Sequence, residues 1–202
     1  MFKRDQTRCA QIAQGSEEGL FWVLMLAITS ARQPFWQMER ILQEVKAEGV
    51  TARWLFGHKR AGHEYLREPG RLAELQRTFS VSHSQLEGQI DQMLRLLEIP
   101  GLGLVKAGFA LQLLTGQGGC IDGHNYKRFG VAIPLRWDCK WTEATQRAKV
   151  CTYLELCEKV GGSESLWNSW CRFIAALHEK RFKNAWDVSA WHWRALPLEE
   201  VA

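Results

Sequence analysis

Ile99-Pro-Gly-Leu-Gly-Leu-Val-Lys-Ala-Gly-Phe-Ala110 is the stretch that decides how the rest of the chain is read. Pro100 ends one helix, because the residue before a proline is pushed out of the α region. Gly101 and Gly103 permit a tight turn, and an apolar helix runs from Leu104 to Leu114. A hairpin of this composition turns its own amides, and those of the next helix N-terminus, outward. Such amides hold a phosphate without reading a base. An ordinary helix–helix turn has the same composition, so its surroundings decide between the two. Asp122-Gly-His-Asn-Tyr-Lys-Arg128 begins 19 residues after Gly103. From Ile99 to Trp137 the one acid is Asp122, set against Lys106, Lys127, Arg128 and Arg136. The pattern is that of a DNA-backbone clamp beside a carboxylate.

Working outward, the periodicities are helical throughout and strand-like alternation is scarce. Ser84 with Glu87 reads as a capping box that opens a helix with stripe Leu86, Ile90, Met93, Leu94 and Leu97. Ser16, followed by Glu17 and Glu18, caps an apolar helix that ends near residues 29–32. A second helix runs from Pro34 to Ala47, and Gly49 stops it. Residues 50–80 are rich in arginine and give little pattern beyond a short helix from Pro69 to Thr78. Downstream, helices fit 142–160 and 163–182, the latter capped by Ser163, and the tail packs back through Trp186, Trp191 and Trp193. Eight or nine helices make the class all-α.

The bulk numbers exclude more than they assert. With 202 residues and 46% hydrophobic content, one domain or two tightly packed lobes is expected. A net charge of +4 is compatible with a polyanion partner and equally with many other enzymes. Six cysteines, at 9, 120, 139, 151, 157 and 171, form no CxxC pair. Their spacing fits neither a zinc site nor an iron–sulfur cluster, so no metal and no cofactor is expected. Buried reduced thiols suit a cytoplasmic protein of a bacterial cell or a phage-infected host. No secretory signal is read at the start, and the apolar run 20–28 is too short to cross a bilayer. Ten tryptophans chiefly serve packing, with one or two available to stack on a base.

Leu97-Glu-Ile-Pro-Gly-Leu-Gly-Leu-Val-Lys-Ala107 resembles the helix–hairpin–helix motif of the endonuclease III and adenine glycosylase superfamily. There the pattern is roughly Leu-Pro-Gly-Val-Gly-x-x-x-Ala. Asp122-Gly-His-Asn-Tyr-Lys127 resembles that superfamily's downstream Asp-x-His-x-aromatic segment. The specific likeness covers residues 84–130 of a single unit spanning 1–202. The motif falls at about 84–115 and the aspartate segment at about 116–130.

The resemblance implies two packed helical lobes that bind double-stranded DNA as a monomer and flip a base out of the stack. Gly101 and Gly103 would hold a phosphate on backbone amides. Asp122 would be the catalytic carboxylate, with a plain helix N-cap as its bland alternative. Lys106, His124, Lys127 and Arg128 would contact DNA or support Asp122. Arg32 or Gln33 would fill the hole left by the flipped base.

One departure matters. Members that also cleave the strand carry a Schiff-base lysine two residues after the second hairpin glycine, and that position is Val105 here. Lys106 lies about 100° further round the helix. Chemistry through an imine is therefore not expected. A monofunctional DNA N-glycosylase using Asp122 is the leading expectation. Two others stand beside it. One is a phage-type hypermodification enzyme that attaches an amine to an activated 5-substituted pyrimidine. The other is a DNA-binding protein without catalysis.

Overall fold

A computed structural model describes residues 2–30, 38–81, 85–131 and 136–177. Among them the helices are α1 (Phe2–Gly15), α2 (Glu17–Thr29), α3 (Met38–Glu48), α4 (His58–Leu66) and α5 (Arg71–Phe79). Then follow α6 (Leu86–Leu97), α7 (Leu104–Thr115), α8 (Gly123–Arg128), α9 (Glu143–Lys159) and α10 (Gly162–Leu177). The described residues are all-helical apart from turns, as the periodicities require, with ten helices where eight or nine were expected.

Two helices are apolar on every side and form the centre. α2 buries every residue from Gly19 to Thr29, and α7 buries Leu104 and the run Ala107 to Leu114. They pack on each other and both pack on α1. Ser16 caps α2 as expected, its hydroxyl accepting from Gly19 N at 2.9 Å. Gly19 is there because α1 crosses close by: a Cβ would lie 2.1 Å from Ile12 O.

Amphipathic helices surround this centre. α3 turns Met38, Ile41, Leu42 and Val45 inward. α6 buries Ile90, Met93 and Leu97 of the expected stripe together with Leu96, with Leu94 partly buried against the core, while Leu86 is 38% exposed. α6 starts at Leu86, two residues after the expected cap. Gln85 occupies the N-cap without a side-chain bond, and Glu87 pairs with Arg147 of α9. Ser84 lies outside the described residues. Ser163 does not cap α10, which starts at Gly162; its hydroxyl donates to Gly118 O at 2.6 Å. Not all thiols are buried: Cys139 is exposed and Cys151 half-buried, and none of the six cysteines is in a disulfide.

Candidate nucleic-acid interface

The turn 99–103 joins α6 to α7. Ile99 N donates to Leu96 O, and Leu102 N donates to Ile99 O, both at 3.1 Å. The two glycines serve different ends. Gly101 has φ +93°, a conformation that L side chains rarely adopt, and a Cβ there would meet His58 O at 3.0 Å. The turn rests directly on α4, where a Cβ on Gly62 would lie 2.3 Å from Pro100 O. Gly103 is under no such constraint. Its φ is −90°, nothing lies within 4 Å of a Cβ built on it, and it is exposed. Neither packing nor backbone strain calls for its missing side chain; it occupies the N-cap of α7, where glycine is among the favoured residues. The amides of Gly103, Leu104 and Val105 have no hydrogen-bond acceptor among the described residues. They form the open N-terminus of a twelve-residue helix.

A groove of about 820 Å³ runs along this turn. Its other wall is Phe56 of the loop before α4 with His58 and Lys59 of the first turn of α4, and Trp137 also lines it. Phe56 is 61% exposed and precedes Gly57, whose φ is +52°. Trp137 meets Trp141 edge-on, with ring centroids 6.0 Å apart. Phe56, Lys59 and Trp137 were not singled out from the sequence. Residues 50–80 carry no strong periodicity, and a lone Phe-Gly-His-Lys gives no local signal of what it faces.

Asp122 is the N-cap of α8. Its Oδ1 accepts from His124 N at 3.1 Å and Asn125 N at 2.9 Å, while Oδ2 has no hydrogen-bond partner among the described residues. The bland role read from the sequence is therefore present, and it leaves one carboxylate oxygen available. The segment leading to Asp122 is held unusually firmly. Tyr153 of α9 donates to Gly119 O at 2.7 Å and accepts from Ile121 N at 3.2 Å. Burial pushes the Tyr153 pKa well above the ordinary tyrosine value, so its proton stays on as a donor. Asn125 is fully buried and donates to Cys120 O at 2.8 Å and to Leu166 O at 3.2 Å. These bonds tie the turn of Asp122 to both α9 and α10.

The remaining candidates divide. Lys127 and Arg128 are exposed at the end of α8. His124 is half-buried and turns toward Ser169 of α10, its Nε2 3.4 Å from the hydroxyl. Lys106 reaches across to the end of α2, donating from Nζ to Ser30 Oγ at 2.9 Å. Lys106 and Asp122 nevertheless share a neighbour. Burial pushes the Cys120 thiol up to about 12, with Lys106 acting to lower it and Asp122 to raise it. Burial keeps that thiol protonated. Arg32 and Gln33 lie outside the described residues, as do Trp186, Trp191 and Trp193.

Among the described residues no group of three or more His, Cys, Asp or Glu side chains is placed to hold a metal ion. No described helix is long and apolar enough to cross a membrane. Comparison of the chain with protein-family models, with curated proteins and with solved structures finds no match.

Proposed function

We propose that the chain is a DNA-binding, base-flipping enzyme of helix–hairpin–helix glycosylase-like architecture that uses Asp122 to hydrolyse an N-glycosidic bond. The observation that carries this reading is Gly103. An exposed glycine with ordinary φ and no neighbour sits at the unbonded N-terminus of α7. That is what a backbone phosphate needs in order to approach the amides closely. Asp122 adds the chemistry, with an unbonded carboxylate oxygen in a turn fixed from two other helices.

In the reaction the bond from C1′ to the base breaks and its electron pair leaves with the base. The sugar becomes oxocarbenium-like, and the Asp122 carboxylate stabilises that positive charge. A water oxygen then bonds to C1′, and its proton passes to the carboxylate or the solvent. Phe56 at the rim of the groove offers a ring for a splayed base.

The test is to incubate the chain with duplexes that carry a panel of modified bases, digest to nucleosides, and weigh the products. Release of free base with an alkali-labile site supports the proposal. A nucleoside of altered mass in an intact strand, dependent on an added amine, replaces hydrolysis with group transfer. Binding without any product removes catalysis from the account.

A further inference from the structure

Two lysines outside the aspartate turn converge on the C-terminal end of α2. Lys106 Nζ donates to Ser30 Oγ at 2.9 Å, and Lys59 Nζ lies 3.5 Å from Thr29 O, the neighbouring residue. Both side chains are half-buried. Neither makes an ion pair with a carboxylate among the described residues. Lys59 shows the consequence. Its pKa is lowered, first by burial and then by the positive charge of Lys106, with no carboxylate offsetting either.

Cations at a helix C-terminus are ordinary, because they answer its exposed carbonyls. This end needs little such help. Ser30 N takes Leu26 O, Thr29 Oγ1 takes Met25 O and Ser30 Oγ takes Ala27 O. Among the described residues the six ammonium N–H groups meet one hydroxyl and one distant carbonyl, with the rings of Phe56 and Phe109 5.4 Å from Lys59 Nζ and Lys106 Nζ respectively, so hydrogen-bond donors remain to be used. Lys59 also lines the groove that Gly101 and Gly103 line, and Lys106 sits in the first turn of α7 beside the open amides.

We propose that Lys59 and Lys106 together form an anion site at the end of α2 that takes a phosphate group. The phosphate comes either from the nucleic-acid strand or from free inorganic phosphate or pyrophosphate. Two adjacent ammonium groups of like charge suit a ligand with several anionic oxygens, which can bond to both at once. The site is independent of which reaction Asp122 performs.

The experiment titrates the full chain calorimetrically with inorganic phosphate, pyrophosphate and an unmodified duplex, at one ionic strength held with chloride. Lys59→Gln and Lys106→Gln are each expected to weaken the anion about tenfold, the cost of one charge-assisted hydrogen bond. Lys59→Arg and Lys106→Arg should keep most of the affinity. Lys159→Gln, at the far end of α9, controls for net charge. Pyrophosphate that competes with duplex places a strand phosphate in the site; pyrophosphate that binds alongside duplex makes it a site for the free anion. Should neither anion bind, and should Lys59→Gln and Lys106→Gln alter duplex affinity no more than Lys159→Gln, the site does not exist. Duplex binding that survives in that case leaves the DNA-directed function standing, so the two failures are distinct.

Discussion

Asp122 holds two roles that a single substitution can separate. As an N-cap it accepts from His124 N and Asn125 N through Oδ1. Asparagine caps a helix about as well as aspartate, so Asp122→Asn should leave the melting temperature nearly unchanged. It removes the negative charge that the proposed chemistry needs. Turnover should fall by at least about 100-fold, the scale of one lost electrostatic or acid–base group, while duplex affinity holds. Unchanged turnover in a folded Asp122→Asn protein would reduce the residue to a cap. The two hairpin glycines make a second separable pair. Gly101→Ala meets a positive φ and the His58 carbonyl, and should cost about 1–3 kcal/mol of stability. Gly103→Ala meets nothing in the free protein, so it should keep its melting temperature and lose affinity for duplex. Equal behaviour of the two variants in melting and in binding assays would mean that no backbone approaches Gly103.

At the scale of elements, the aspartate turn is an outpost anchored by α9 and α10. Tyr153→Phe strips the partner from Gly119 O and Ile121 N, both in a buried setting. Losing such a pair costs about 1–3 kcal/mol. Turnover should fall with it, because the position of Asp122 depends on the same turn, and thermal melts together with single-turnover rates would show both. α8 itself is short and ends in Lys127 and Arg128, both exposed. Reversing both charges should weaken duplex binding and flatten its salt dependence by roughly two phosphate contacts, about 1.8 in the log–log slope. A slope that does not move would take α8 off the DNA.

What could be read from the sequence also divides by element. The hairpin, the cap at Asp122, α2, α3 and α9 were legible because local chemistry sets them: Pro and Gly at a turn, a capping oxygen, an apolar period. α1 and α4 were not. α1 is mostly polar, and only scattered residues such as Cys9 and Ala13 reach the core. α4 begins at a glycine without a capping side chain. Capping at Ser163 misled because a distant partner, Gly118 O, takes its hydroxyl. The groove was invisible for the same reason, since Phe56 and Trp137 meet the hairpin only through tertiary packing.

Across the whole molecule one hydrophobic cluster runs from α1 to α10, and a few titratable groups are held inside or against it. His63 on α4 is among them. It is 7% exposed, packs edge-on against Phe21 with ring centroids 5.4 Å apart, and its Nδ1 has no hydrogen-bond partner among the described residues. Burial first, and the nearby Arg67 second, push its pKa below the ordinary 6.5. The neutral ring is therefore the folded form. Between the two pKa values the unfolded chain binds more protons than the folded one, so stability rises with pH there. The contribution is complete above about 6.5 and is lost as pH falls through the lowered value. Glu18, whose carboxyl is held below 4.5 chiefly by its hydrogen bonds to Arg67, adds a second loss of the same sign further into acid. Thermal melts from pH 8 to about pH 2 should fall in two stages, and His63→Phe should flatten the upper stage alone while keeping the aromatic contact with Phe21. An upper stage that persists in His63→Phe would move the proton uptake to another group, and with it the claim that α4, the wall of the groove, is the first part of the core to answer to acid.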